Sequence, residues 1–432
     1  MQNVSRSSIY EQITLEKQGA TPVRLESRVL NFSYFESLFS PHITANFTYI
    51  DVGNGMTANG KDTQERYGTI LSSLPLEGNG KTNVRFKITN EWSSLDFTSY
   101  PLTVEEPIPL GRQANREVVY VKLVSPAAIK NSNTRVGEKY YNNITNSISS
   151  ILKNKLNIPE NKIILEPTKN SYAFPGSSKR PFDLILSCAA KSMPVNGSAG
   201  FMFWETQAGF NFKSVDSIAS TTPVATYRYY GVARTSIEET QDNLRILSQP
   251  TYRHNTNLMK LLNGVLKVKV ISWNPYATEY QETFISLDKA NLKILGNSTA
   301  EFNSNFTDNN NFNFNRTYFL PLDTGNSEIG ISTAINNNPV EYQPKAIMRY
   351  NLFVAQMVDI MVPANFNLKA GDVIQCQFEK VTTSNKNEGV FDEYQSGNYV
   401  ILNLCHYVNP TRSFTSLRLV RDAYGLYTSG GL

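Results

Sequence analysis

Residues 200–216 read Gly-Phe-Met-Phe-Trp-Glu-Thr-Gln-Ala-Gly-Phe-Asn-Phe-Lys-Ser-Val-Asp, and they carry the clearest structural pattern in the middle of the chain. Its two aromatic runs, residues 201–204 and 210–212, flank a short segment that ends at Gly209. Because glycine adopts turn conformations at no steric cost, the pattern predicts a β-hairpin. Both strand faces carry large apolar side chains, which favours burial in a core or subunit interface over a platform that stacks bases or sugars.

Two helices are predicted upstream of this hairpin. The first carries its apolar residues on one face between Tyr141 and Leu156. The second begins near Pro181, a residue type favoured in the first helical turn. Helices that lead into a hairpin indicate an α+β unit, which we assign to residues 116–223.

Alternating apolar and polar residues predict antiparallel strands on both sides of the α+β unit. Before it, residues 43–51 alternate with period two, which is typical of a half-exposed sheet and assigns a first strand domain to residues 1–115. After it, similar runs in residues 224–285 and 342–425 predict a second strand domain. This second domain is split by an Asn-rich insertion, residues 286–341.

The composition excludes several classes of protein. With 40% apolar and 18% charged residues, the 432-residue chain is typical of a folded protein. A net charge of +4 is too small to argue for stable nucleic-acid binding. No apolar stretch approaches the ~18 residues that a membrane-spanning helix requires, and no secretion signal is visible. The 3 cysteines indicate a reducing compartment, although Cys376 and Cys405 could be neighbours across a sheet.

Two sequence patterns that resemble phosphate-binding or metal-binding sites lack residues that such sites require. Gly78-Asn-Gly-Lys-Thr82 resembles the end of a phosphate-binding loop, but Pro75 replaces the first glycine and a strand follows. A hairpin turn is therefore expected there. His42, His254 and His406 have no metal-ligating residue at the spacing that such sites use. We predict no metal and no cofactor.

The residue groups that could be catalytic also lack the arrangement that catalysis requires. The acid pairs Glu105-Glu106 and Glu238-Glu239 have polar flanks that indicate solvated charge. Cys405 and His406 are adjacent in a predicted strand, so they point to opposite faces and make a poor dyad. No Gly-x-Ser-x-Gly nucleophile elbow occurs. We predict no catalytic residue and no enzymatic activity.

Two separated regions resemble the central hub protein of the baseplate in T-even-like contractile-tailed bacteriophages, of the cyanophage-type myovirus kind. The first joins the helix start Arg180-Pro-Phe-Asp-Leu-Ile to the hairpin at residues 200–216. The second comprises Leu368-Lys-Ala-Gly-Asp-Val-Ile, Gly397-Asn-Tyr-Val-Ile and Leu417-Arg-Leu-Val-Arg-Asp. The residues that carry this structural family motif are Arg180, Pro181, Phe182, Gly200, Phe203, Gly209, Phe210, Asn211, Phe212, Gly371, Asp372, Gly397 and Tyr399.

The resemblance implies a mainly β fold with an α+β middle unit: two tube-like antiparallel β-barrel domains plus smaller α+β and insertion domains. It implies a homotrimeric ring that joins the hexameric tail tube to the trimeric spike. The implied partners are further copies of the chain, the spike protein, tail-tube and tube-initiator proteins and other baseplate proteins. DNA would pass only in transit through the channel, without membrane insertion. The implied location is the virion tail baseplate, assembled in the bacterial host cytoplasm.

Two other functions stay open at this point. A tail-associated peptidoglycan hydrolase would need a pair of carboxylates in a pocket, which one sequence cannot show. A receptor-binding tail protein would be expected to carry fibrous repeats or a terminal binding domain, and neither is visible. Turnover of cell-wall substrate by the purified chain would favour the hydrolase.

The insertion generates a first testable prediction. Its asparagines favour turns, yet aromatic rings recur within it, so we expect a peripheral loop or small subdomain docked on a neighbour; a disordered insertion is the alternative. Because loop entropy changes slowly with length, replacing residues 298–316 with a short Gly/Ser linker should leave the fold intact and impair docking of one baseplate partner. Thermal unfolding measures the first effect, and failure to fold would place the segment in the core. The rings are Phe302, Phe306, Phe312, Phe314, Tyr318 and Phe319.

Overall fold

The computed structural model describes residues 8–52, 70, 76, 78, 80–113, 116–141, 143–230, 243–254, 259, 262–265, 267–275, 278–286, 295, 316–322, 339–380 and 391–422. Glu238, Glu239 and the Asn-rich run 298–315 lie outside these residues. The predicted mainly β class with an α+β middle unit is confirmed. Within the described ranges, no helix is long and apolar enough to cross a membrane.

The first eight strands form because apolar residues alternate with polar ones. In β5, Val84, Phe86 and Ile88 are buried whereas Arg85 and Lys87 are half-exposed, as a sheet with one covered face requires. The strands are β1 Ile9–Lys17, β2 Val23–Arg24, β3 Val29–Ser37, β4 Thr44–Asp51, β5 Thr82–Thr89, β6 Ser94–Asp96, β7 Leu102–Gln113 and β8 Arg116–Val124.

The middle unit contains both predicted helices and the predicted hairpin. The Asn143 side chain caps the longer helix by accepting a 3.0 Å hydrogen bond from the Thr145 backbone N–H, and the apolar stripe of this helix is buried as predicted. A three-stranded sheet, β10-β13-β12, packs against the helices. The elements are α1 Pro126–Asn133, β9 Lys139–Tyr140, α2 Ile144–Asn154, β10 Ile163–Leu165, β11 Phe174–Pro175, α3 Pro181–Ala189, β12 Phe201–Thr206, β13 Gly209–Ser214 and α4 Val215–Ala219.

The last part of the chain returns to strands, with one long helix among them. Its elements are β14 Thr226–Tyr229, β15 Thr251–His254, β16 Lys267–Asn274, β17 Glu279–Ser286, β18 Thr317–Pro321, α5 Pro339–Phe353, β19 Gln356–Pro363, β20 Val373–Phe378, β21 Gly397–Val408 and β22 Ser413–Arg421.

One sheet of 14 strands runs through both ends of the chain. Its main path is β15-β19-β22-β21-β3-β4-β8-β7-β5-β1-β2. The two ends meet where β21 pairs antiparallel with β3, from Asn403 opposite Ser37 to Val408 opposite Phe32. One apolar core packs on this sheet and draws residues from both ends of the chain, and a second cluster joins Val400 and Val420 of the sheet to Trp204.

The sheet contains an internal repeat. Strands β3-β4-β8-β7-β5 neighbour one another in the same order as β15-β19-β22-β21-β20, and every pairing in both sets is antiparallel. The hairpins β7–β8 and β21–β22 share an irregularity: the register shifts between Val104 and Glu106 in one and between Ile401 and Asn403 in the other. The two ends of the chain are therefore built on one plan.

The strand pairing differs from the predicted domain plan at two places, and the domain boundaries themselves stay predictions. Strand β8, placed at the start of the α+β unit, pairs with β4 and β7 of the first sheet region and ends where Ser125-Pro126 begins α1. Strands β16 and β17, assigned to the second strand domain, form a separate sheet with β18 from the insertion. This grouping arises because buried Val268 and Val270 of β16 pack with Met348 and Leu352 of α5.

Two smaller expectations are also resolved. The idea that Cys376 and Cys405 are neighbours across a sheet is wrong, because Cys376 lies opposite Gly397 and Cys405 lies opposite Phe35. Of the insertion rings that the structure describes, Tyr318 packs against the β16–α5 core whereas Phe319 is 67% exposed.

Candidate functional site: the hairpin junction

The hairpin β12–β13 lies where the α+β unit meets the large sheet. Phe203 is opposite Phe212 and Trp204 is opposite Asn211 across the hairpin. Gly209 has a φ of +139°, and a side chain there would place its Cβ 2.2 Å from the Lys162 carbonyl oxygen. Both the backbone angle and the close approach therefore require glycine.

One face of the hairpin packs on the helices of the α+β unit. The Phe182 ring of α3 lies 5.6 Å from the Phe203 ring and 5.9 Å from the Phe210 ring, measured between centroids. Arg180 occupies the position before the helix, and buried Pro181 opens its first turn. The rings on this face are buried, so they form a core and do not present a platform to bases or sugars.

The other face of the hairpin packs on the large sheet through Trp204. Its indole Nε1 donates a 2.9 Å hydrogen bond to the Ala370 carbonyl oxygen. Gly371 follows with a φ of +93°, and a Cβ at this position would lie 2.8 Å from Cζ2 of the indole. The Gly371 of the family motif thus leaves the space that Trp204 fills.

Glu36 of β3 connects three segments of the chain. Its Oε1 accepts 2.7 Å hydrogen bonds from the Tyr34 hydroxyl and from the backbone N–H of Gln207 in the hairpin turn. Its Oε2 accepts a 2.8 Å hydrogen bond from the Ala370 backbone N–H. One buried carboxyl group therefore ties the first sheet region, the hairpin and the loop before β20 together.

A second buried acid lies at the same junction. The Glu205 Oε2 atom accepts a 3.1 Å hydrogen bond from the Ile43 backbone N–H, just before β4. Burial raises the pKa of Glu36 to about 7, and burial together with the nearby Glu36 raises the pKa of Glu205 to about 8. Both carboxyl groups therefore keep their protons to a higher pH than an exposed glutamate does.

Arg349 of α5 forms an ion-pair centre on the far side of the hairpin. Its Nε donates to Asp216 at 2.8 Å and its Nη1 donates to Asp422 at 2.7 Å, with all three groups buried. Asp216 also accepts a 2.7 Å hydrogen bond from the Ser198 backbone N–H. This centre joins α5, α4 and the end of β22, and each of its three charged groups makes at least one charge-assisted hydrogen bond.

Gly200 of the motif has a φ of +125°, and its Cβ position lies 3.5 Å from the Arg349 side chain, whereas the motif residues Gly397 and Tyr399 enclose a different arginine. The buried Arg421 guanidinium lies 4.7 Å from the centre of the Tyr399 ring and donates a 3.1 Å hydrogen bond to the Ser396 carbonyl oxygen. A Cβ at Gly397 would lie 2.9 Å from its Nη1 atom. Gly397 and Tyr399 therefore pack an arginine and lie apart from the hairpin junction.

The geometry offers little to a catalytic or metal-based mechanism. A cavity of about 150 Å³ lies beside the hairpin, and its lining includes Asn211, Lys213, Lys369, Gly371 and Asp372. That volume holds a few water molecules and is smaller than ordinary ligand pockets. Among the described residues, no group of His, Cys, Asp or Glu is arranged to hold a metal ion.

Sequence reasoning did not identify Glu36, Glu205 or Arg349. A signal existed for the two acids, because Glu36 follows Tyr34 by two positions and Glu205 follows Phe203 by two, which places each acid on the buried face of its strand. An acid at a core-facing position is the pattern to look for. Arg349 gave no such signal, since its acidic partners are 133 and 73 residues away in the chain.

The fold is that of phage tail proteins. A tail protein from Neisseria meningitidis MC58 superposes with a TM-score of 0.55 over 96% of this chain and 97% of its own, at 10% identity. The 43 kDa tail protein of prophage MuSo2 from Shewanella oneidensis superposes with a TM-score of 0.52 over 96% of this chain and 100% of its own, also at 10% identity. At such identities the likeness concerns the fold alone.

A sequence relative makes the class more specific. The probable baseplate hub protein gp334 of Vibrio phage KVP40 is 24% identical over 374 residues, covering 76% of this chain and 81% of the relative. No protein-family model matches the chain. The resemblance to phage baseplate hub proteins is confirmed, and a role as a structural component of a phage tail is supported.

Gly371 provides a test of the hairpin junction. We expect Gly371→Ala to lower the free energy of unfolding by about 2–4 kcal/mol, because it adds strain at a positive φ and forces a methyl group against Trp204. Gly19→Ala is the matched control: Gly19 has a φ of +81° but no atom within 4 Å of the added Cβ, so only the strain of about 1 kcal/mol applies. Denaturant unfolding measures both values, and equal losses would contradict the packing role of Gly371.

The two buried acids predict how stability depends on pH. Because their folded pKa values lie above the ordinary value of 4.5, the folded protein keeps protons that the unfolded chain releases. Their contribution is complete below pH 4.5 and is lost as the pH rises through about 7 and 8. We expect Glu205→Gln to flatten this fall in the unfolding free energy, whereas the exposed-site control Glu106→Gln should leave its slope unchanged. Equal slopes for the wild type and Glu205→Gln would show that Glu205 is not the titrating group.

Proposed function

We propose that this protein is the central hub of a phage tail baseplate: a homotrimer that joins the tail tube to the spike and surrounds part of the DNA-ejection channel. The observation that carries this proposal is the internal repeat of the large sheet. Three chains with two copies each would present six similar units to a sixfold tube, while the ring keeps the threefold symmetry of a spike. The baseplate hub relative supports a location in the virion tail.

Unpaired strand edges favour closure of the ring. Strand β15 lies at one end of the main path of the sheet, and sheet edges carry backbone groups that seek partners. An interface that joins one edge of a chain to a different edge of the next chain closes after a fixed number of copies if the rotation permits. A ring of three chains would satisfy such edges without leaving an end for further addition.

The hairpin junction suits a protein that transmits force between a tube and a spike. Glu36 and Arg349 each connect segments that are distant in the chain through short hydrogen bonds. Such charge-assisted contacts hold one relative arrangement because their strength falls steeply with distance and angle. The α+β unit would therefore move together with the ring.

The alternative of a peptidoglycan hydrolase receives no support from the acid pair at the junction. Glu36 and Glu205 are each 2% exposed, and backbone N–H groups already bind both carboxyl oxygens of Glu36 and the Oε2 atom of Glu205. A glycan chain could not reach them without unfolding the junction. We accordingly propose a structural role without enzymatic activity, consistent with the weak net charge of a conduit that should not retain DNA.

Light scattering on the purified protein tests the proposed assembly. We expect assembled protein with the mass of three chains of 48.6 kDa each. The Glu279→Gln variant, at an exposed position outside the large sheet, serves as a surface control and should give the same mass. Assembled species of two or six chains would contradict a single trimeric ring.

A further inference from the structure

We propose that the outer edge of β7 pairs antiparallel with β15 of a second copy of this chain, with Ile108 opposite Arg253 of that copy. The proposal rests on the proposed trimer and specifies the contact that closes it. Its basis is a strand edge that is occupied in one half of the internal repeat and has no partner among the described residues in the other half.

The occupied edge belongs to β21. One side of this strand pairs with β22 along its length. The other side is shared: residues 397–400 pair with β20, and residues 403–408 pair with β3. Strand β21 therefore has a second partner beyond the residues that pair with β20.

The open edge belongs to β7, which holds the equivalent place in the other half of the repeat. One side of β7 pairs with β8. On the other side, β5 pairs only with Leu102 and Thr103. Beyond Glu106, no strand of the described residues pairs with this side of β7. The repeat predicts an occupant there that corresponds to β3.

Strand β15 is that occupant by the same correspondence. It pairs with β19 as β3 pairs with β4, and it ends the main path of the sheet. In the part of the chain that the structure describes, β3 already fills the edge of β21, so the edge of β7 is the equivalent site left for β15. In a closed ring, β15 of each copy would fill the edge of β7 in the next.

The shared register shift fixes which residues meet. Counting two positions beyond the shift gives Cys405 in β21 and Ile108 in β7. The pairings lead from β8 through β4 to Ser33 of β3, and from the equivalent residue of β22 through β19 to Thr251 of β15. Two residues further along, Phe35 of β3 therefore corresponds to Arg253 of β15. Because Cys405 lies opposite Phe35, Ile108 is placed opposite Arg253 of the second copy.

The side chains on the two edges are compatible with this register. Arg253 is exposed, and exposed Glu106 would be its diagonal neighbour on the same face, which gives opposite charges across the contact. In β21, Leu404 and His406 correspond to Pro107 and Pro109. The carbonyl oxygen of Leu402 accepts a hydrogen bond from the N–H of Leu38, just after β3. Because every second residue of a strand directs its backbone groups to the same side, Leu404 and His406 also direct theirs towards β3.

Both prolines therefore face the open edge, where they offer carbonyl oxygens but no N–H groups. Two β7 edges could not pair with each other at these positions, because neither would supply a donor. An edge that supplies N–H groups, such as β15 at Tyr252, remains a suitable partner. The prolines thus disfavour pairing of β7 with β7 of the next copy and favour pairing of β7 with a different strand, such as β15.

A disulfide cross-link tests the register directly. Directly opposed residues of antiparallel strands have Cα atoms about 4.5–5.5 Å apart, within the range that a disulfide spans. The double variant Ile108→Cys/Arg253→Cys, oxidised at a concentration where light scattering gives the assembled mass, should produce covalent species of two and three chains on a non-reducing gel. Ile108 is half-buried and Arg253 exposed, so neither change removes a core side chain.

Three controls isolate the contact. Each single variant should stay monomeric on the gel, because the pairing joins two different edges. Ile108→Cys/Tyr252→Cys should cross-link poorly, because adjacent residues point to opposite faces of a strand. The wild type measures the background from its own thiols, of which Cys188 and Cys376 are buried.

The outcomes separate this inference from the proposed trimer. Cross-linked trimers from the double variant alone support both. A trimeric mass without a cross-link overturns the β7–β15 pairing and leaves the trimer, whereas a monomeric or dimeric mass overturns both. If the double variant aggregates, hydrogen exchange on the wild type decides: slow exchange of the Tyr252 amide supports the pairing, and exchange at the rate of an exposed amide overturns it.

Discussion

The antiparallel pairing of β3 with β21 holds the two halves of the chain together. It joins strands from the two ends of the chain into one sheet with a shared core. Glu36 lies within this pairing, opposite Leu404, and its carboxyl group reaches both the hairpin turn and the loop before β20. The contact that unites the halves of the sheet therefore also fixes the middle unit on them.

Polar groups define the junctions of an otherwise apolar interior. Arg349 is paired with two carboxylates, and losing one partner of such a buried pair costs about 3–5 kcal/mol, because the remaining charge is left without compensation. Apolar contacts alone tolerate small sliding movements, whereas these hydrogen bonds require one geometry. We interpret the buried charges as the features that hold the hairpin, α5 and the end of β22 in a single arrangement.

The sequence predicted what depends on local pattern. The hairpin, the helices at residues 144–154 and 181–189 and most strands follow from period, proline and glycine, all of which act over a few residues. It did not predict that β18 joins β16, because a parallel pairing between distant strands leaves no local trace. Of the motif residues, Gly209 and Gly371 lie at the hairpin junction, whereas Gly397 packs on Arg421. Such groupings depend on tertiary contacts that one sequence does not display.

Electron microscopy of the purified protein distinguishes a trimeric ring from other assemblies, because it shows the symmetry of the particle itself. We expect class averages of a closed ring around a central channel, with threefold symmetry and six similar lobes that correspond to the two copies of the repeat in each chain. Averages that show a twofold particle, an open arc or a ring without a channel would contradict it.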